Sequence, residues 1–229
     1  MKQMCIALIC LVALSTQLSA QTKPKLTTEK EKVSYIIGTD IARNLKKQGI
    51  DIDPGILFKG FEDAFANEKL VLSDSEIQQV MAAFQQEMMD KQSKKSAELA
   101  DENKKEGEAF LDANKKRDSV ITLASGLQYK VIVEGKGNMP ALTDTVTTNY
   151  RGTLIDGTEF DNSYKRGEPA TFPVNGVIPG WTEALQHMKV GSKWQLFIPS
   201  NLAYGERGAG QTIGPNATLI FEVELLSIK

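Results

Sequence analysis

Apolar residues recur at helical spacing through the first half of the chain and at strand spacing through the second. Val33, Ile36, Ile37, Ile41 and Leu45 fall on one helical face. Thr28 and Glu31 ahead of that run have the spacing of a capping box, and Gly49 stands where the helix should stop. Asp53-Pro54 reads as an N-cap followed by proline at the first helical position, opening a second stripe of Leu57, Phe58, Phe61, Ala64 and Phe65 that ends near Asn67. Ser73 and Glu76 repeat the capping-box spacing before Ile77, Val80, Met81, Phe84 and Met88. From Asp90 to Glu108 the chain is almost wholly polar, with Leu99 its only large apolar residue, yet it lacks proline and is rich in helix-forming Lys, Glu, Ala and Gln. One helix from Ser73 to about Asn114 would extend about 60 Å. Its polar half offers no face to bury, so it is expected to bridge through solvent to another domain, with Gly107 and the Asn114–Asp118 stretch as its weak points.

The period changes after Ser119. Leu127 to Val133 is strand-like, and Val146, Thr148, Tyr150, Gly152 and Leu154 alternate with polar neighbours. Asp156-Gly157 is a hairpin signal. Trp181, Ala184, Leu185 and Met188 share a helical face closed by Gly191; Trp194, Leu196 and Ile198 alternate up to Pro199. Leu219, Phe221, Val223 and Leu225 give the inward side of a last strand. The predicted fold class is α+β: an all-α N-terminal part with a long connecting helix, then an antiparallel sheet of about five or six strands wrapped round one short helix.

Composition narrows the function. The 229 residues are 41% apolar with a formal net charge of −2, enough for cores but without the basic excess that nucleic-acid binding requires. Lys2, the apolar run Ile6 to Leu14 and the small residues to Ala20 have the order of a signal peptide, and the run is too short to span a bilayer. Cleavage after Ala20 would remove both cysteines, Cys5 and Cys10, leaving a chain with no disulfide or thiol chemistry. No later run is long enough to cross a membrane, so an exported, soluble product is expected. His187 is the only histidine and has no further ligand at a metal-binding spacing; neither metal nor cofactor is expected.

Val177 to Trp181, read VIPGW, is the focus of the second half: two aliphatic side chains, a backbone N–H and an indole in five residues suit an apolar pocket better than a charged centre. Taken singly, Trp181, Phe221 and Val177 read first as core residues, Asp161 as a turn carboxylate and Tyr204 as a strand-end tyrosine. Together, YRGTLIDGTEFDNS, VIPGW, the AYG at 203–205 and the closing IGPNATLIFEVELL resemble the FKBP-type peptidyl-prolyl cis/trans isomerases from about Ser125 to Lys229. The resemblance implies an FKBP-like sheet wrapped round its helix. It also implies a pocket walled by Tyr150, Phe160, Val177, Ile178 and Phe221, floored by Trp181 and flanked by Ile213 on a flap loop. Asp161, the Ile178 N–H and the Tyr204 hydroxyl match its polar contacts. Two departures bear on pocket width: Ala170 stands where many members carry an aromatic wall residue, and the flap reads ERGAGQTIGP. The first half, through SYIIGTDIARNL and EGEAFLDANKK, resembles the helical dimerisation domain of the exported Mip/FkpA-type subgroup. The expected division is therefore a signal peptide at 1–20, a helical dimerisation domain with linker helix at 21–118 and an isomerase domain at 119–229.

Rotation about an X–Pro amide breaks no bond but must cross roughly 18–20 kcal/mol of resonance. An apolar pocket can favour the twisted amide by removing water from the planar one. The resemblance implies proline-containing unfolded polypeptides as substrates, a homodimer, macrolide inhibitors as ligands, and a place in a bacterial periplasm, with outer-membrane association or an extracellular location as the alternatives. A reading from another class is a non-enzymatic periplasmic chaperone or binding module that uses the dimer cradle.

Overall fold

The computed structural model describes residues 25–229; the signal-peptide reading at 1–20 falls outside them. The chain divides between Ser73 and Asp74 into two compact units.

In the first unit, α1 spans Glu29–Lys47 and α2 spans Pro54–Phe65. Both starts are built as their residues dictate. The Thr28 hydroxyl accepts from the Glu31 N–H at 3.2 Å while the Glu31 carboxylate accepts from the Thr28 N–H at 2.8 Å. The Asp53 carboxylate accepts from the N–H groups of Gly55 and Ile56. These side chains replace the partners that a first helical turn lacks. The apolar stripes, however, are not buried within the single chain: Ile36, Ile37, Ile41, Phe58, Phe61 and Phe65 are all exposed, and Asp63, ion-paired to Lys59, is the buried residue of α2.

The second unit begins with α3, Asp74–Asn114, a continuous helix of 41 residues. Seven antiparallel strands follow: β1 (Ile121–Thr122), β2 (Gln128–Val133), β3 (Thr145–Leu154), β4 (Glu159–Asn162), β5 (Ala170–Pro173), β6 (Lys193–Ile198) and β7 (Leu219–Ile228). Their order is β1-β2-β6-β7-β3-β4, with β5 also on β3. β4 and β5 pair with opposite ends of β3, Arg151–Thr153 and Thr145–Thr148. Between them runs α4 (Ser163–Arg166), capped by the Asn162 side chain. This short helix, absent from the sequence reading, breaks the sheet edge. The hairpin expected at Asp156-Gly157 joins β3 to β4, with Leu154 N–H to Thr158 O at 2.9 Å. One sheet face packs on α5 (Pro179–His187) through Trp181, Ala184 and Leu185, with Met188 just beyond the helix. From β7, Leu219, Phe221, Val223 and Leu225 point into this core.

The alternation in β6 is incomplete as a guide, because Phe197 is 2% exposed between the buried Leu196 and Ile198. Its ring meets Phe110 of α3 at 6.0 Å. The polar half of α3 therefore does not cross solvent to its end; its last turns lie against the sheet domain. Asn114 is buried, donating to Gln128 Oε1 at 2.9 Å, and Gln128 Nε2 donates to the Leu111 carbonyl at 3.0 Å. Asn103, Gly107, Phe110 and Asn114 recur at helical spacing, so this is an amphipathic stripe in which amide and glycine stand where aliphatic residues usually would. Gly107 is not a kink but a point of close approach: a Cβ there would lie 2.4 Å from Thr218 Oγ1.

On an exposed helix, glycine to alanine gains about 1 kcal/mol. At this contact, overpacking costs about 1–3 kcal/mol. Gly107→Ala should lower the urea midpoint of the second unit and Gly107→Ala/Thr218→Ala should recover it; a raised midpoint in the single variant would show that the helix is not seated on Thr218.

Candidate functional site

The break in the sheet edge opens a cleft of about 680 Å³ over the start of α5. All nine residues singled out from sequence border it: Tyr150 from β3, Phe160 and Asp161 from β4, Val177 and Ile178 ahead of α5, Trp181 on α5, Tyr204, Ile213, and Phe221 from β7. Trp181 lies at the centre of the aromatic packing. Its indole meets the rings of Tyr150 at 5.2 Å, Phe221 at 5.1 Å and Phe172 at 5.5 Å, with interplanar angles of 90°, 83° and 65°. These edge-to-face contacts fix its plane. Phe160 extends the group through an edge contact with Phe221 at 5.4 Å. Gly152 makes that pair possible, since a Cβ there would meet the Phe160 and Phe221 rings at 2.6 and 2.7 Å. Trp181 Nε1 is buried without a hydrogen-bond partner among the described residues.

The polar side of the cleft is already organised. Asp161 Oδ2 accepts from the Tyr150 hydroxyl at 2.6 Å, and Oδ1 accepts from Arg166 and from the Asn162 N–H at 2.8 Å. Arg166 also donates to the Tyr150 hydroxyl at 2.8 Å and stands 5.2 Å from the centre of its ring. Burial, followed by the hydrogen bond to Asp161, raises the Tyr150 pKa above the ordinary tyrosine range, so at neutral pH it stays a proton donor. Both Asp161 oxygens are thus occupied by donors from Tyr150, Arg166 and Asn162. Nearby, hydrogen bonds from Lys165 and Arg151 hold Glu159 down to about 2, pinning β4 to α4 and β3. The Ile178 N–H and the Tyr204 hydroxyl have no hydrogen-bond partner among the described residues.

Two side chains were missed in the sequence. Phe172, not residue 170, supplies an aromatic wall from β5, so Ala170 does not leave that side without a ring. Phe172 follows Ala170 at period two, which was the available signal. Arg166 reaches Asp161 only because α4 turns it back, and no local pattern announces that.

The family model for FKBP-type peptidyl-prolyl cis-trans isomerases matches residues 136–226, and the model for the domain amino-terminal to such isomerases matches residues 30–131. The chain belongs to the FKBP-type peptidyl-prolyl cis-trans isomerases. It is 49% identical over 218 residues to the outer membrane protein MIP of Legionella longbeachae, covering 95% of this chain and 94% of the relative. It is 43% identical over 211 residues to the peptidyl-prolyl cis-trans isomerase Mip of Coxiella burnetii, covering 92% of each. The crystal structure of FkpA from Escherichia coli matches with a TM-score of 0.72 at 42% identity, covering 90% of this chain and 99% of that one. This FKBP-type isomerase thus joins a helical N-terminal region with a long helix to an antiparallel-sheet isomerase domain, and its activity is cis/trans isomerisation of prolyl peptide bonds in support of folding.

Proposed function

We propose that the cleft around Trp181 is where the isomerase twists the X–Pro bond, acting by differential solvation without a covalent step. The prolyl ring rests on the Trp181 indole between Phe221, Phe160, Val177 and Tyr150. The Ile178 N–H and the Tyr204 hydroxyl donate to substrate carbonyls, and Ile213 covers the open side. The planar amide carries charge separation that water stabilises; the twisted amide has lost conjugation and much of that separation, so an apolar cavity raises the first relative to the second. Asp161, held by Tyr150 and Arg166, supplies a fixed field beside the rotating carbonyl. The observation that carries this reading is the convergence of apolar walls with the unpaired Ile178 N–H and Tyr204 hydroxyl in one cleft.

The chain is further proposed to work as an exported homodimer. The exposed stripes of α1 and α2 are the support: residues patterned for a core need a cover, and a second copy offers the same stripes in return. The signal-like order of residues 1–20 and the likeness to a protein named for the outer membrane support export; among the described residues no helix is long and apolar enough to cross a membrane.

Phe221→Leu keeps an apolar side chain in the core while removing a ring from the cleft. It should lower kcat/KM on a prolyl peptide about tenfold or more with the thermal transition retained; an unchanged rate in the folded variant would move catalysis elsewhere. Light scattering at micromolar concentration should give about twice the chain mass. A monomeric mass, with suppression of client aggregation abolished by polar substitutions on the α2 stripe, would instead make those stripes a chaperone surface.

A further inference from the structure

We propose that Asn103, on the long helix and outside the cleft, is a positioning residue for the isomerase reaction: its side-chain amide fixes the foot of the loop that carries Ile213. The inference rests on the reading that Ile213 covers the bound proline. Asn103 Nδ2 donates to the Pro215 carbonyl at 2.8 Å. Gly214-Pro215-Asn216-Ala217 is a tight turn, with proline second, Asn216 at φ 56 and the Ala217 N–H reaching the Gly214 carbonyl at 3.4 Å. Proline second and a left-handed third residue are the marks of a type II turn, whose central carbonyl is left without a partner inside the turn. Asn103 provides that partner from 112 residues away in sequence.

The fit around this bond is close. A Cβ on Gly214 would lie 2.9 Å from Asn103 Nδ2 and 3.2 Å from Leu99 Cδ2, so the turn lies directly on the helix. On its other side the Asn216 N–H donates to the Gly205 carbonyl at 2.8 Å, next to Tyr204. Immediately before it, Ala209 and Ile213 exchange backbone hydrogen bonds of 2.8 and 3.1 Å, which set where Ile213 stands. The turn therefore touches the supports of two cleft residues while the helix fixes the turn. The helix itself cannot slide, since the buried Asn114–Gln128 pair holds it about three turns further on. The Asn103 amide orients what Ile213 and Tyr204 present to the substrate without meeting the substrate.

The test uses the full-length chain and its kinetics on a prolyl peptide. Asn103→Ala should raise KM about three- to tenfold, the worth of one part-buried hydrogen bond, and leave kcat within about twofold, because binding of planar and twisted amides weakens together. Amide hydrogen exchange should quicken at Ala209, Ile213 and Asn216 but not along the β6–β7 ladder. Lys104→Ala, one residue on and exposed, should change neither. Unchanged KM for Asn103→Ala, or exchange quickened throughout the sheet, overturns the proposal, the second result making Asn103 a residue of general stability. Phe221→Leu separates the two levels: if it loses activity while Asn103→Ala does not, the positioning role alone falls, and if neither loses activity, the cleft reading falls with it.

Discussion

The enclosure of Trp181 by aromatic edges is the interaction on which the cleft depends. The indole is 4% exposed and touches rings from β3, β5 and β7, three strands meeting at one side chain. The floor of the cleft is thus also part of the hydrophobic core, and the cleft cannot widen or tilt without disturbing close packing. A reaction that needs only a water-poor surface of fixed shape is well served by such a floor, since no rearrangement is required when the substrate arrives. The polar groups obey the same constraint: the Tyr150 ring stands perpendicular to the Trp181 indole while its hydroxyl donates to Asp161, so one side chain joins the apolar and charged halves of the cleft.

Both faces of the sheet are occupied, which gives the long helix its place. α5 fills one face, and on β6 Phe197 faces the other way to meet Phe110. The last turns of α3 are accordingly packed on the sheet, seated by a buried amide pair and a glycine contact where a bundle would use leucine. Buried amides with matched partners fix register more strictly than aliphatic contacts, because a slip leaves donors and acceptors unpaired.

How much could be read in advance follows from these contacts. The boundaries of α1 and α2 were legible because Thr28, Glu31, Asp53 and Pro54 act on their own neighbours within one turn. β7 was legible because it is buried on one side and alternates cleanly. The nine cleft residues came from resemblance: periodicity alone cannot tell a pocket-lining Phe221 from a core one, and here it is both. The seating of α3 stayed hidden because Asn103, Gly107 and Asn114 read as polar or breaking residues until their partners, Pro215, Thr218 and Gln128, are brought in by the fold. Arg166 was hidden for the same reason, its meaning lying in α4, a helix too short for any period to reveal.

If rotation is driven by the apolar cleft and by groups that keep their charge, no proton moves during the reaction. Tyr150 is held above the ordinary tyrosine range and Asp161 is engaged at both oxygens. The most direct measurement is the pH dependence of kcat/KM on a prolyl peptide between about pH 6 and pH 9, a window clear of ordinary carboxylate and tyrosine titrations. The account predicts a flat profile; a bell, or a tenfold slope across that range with the fold intact, would show a titrating catalytic group and contradict it.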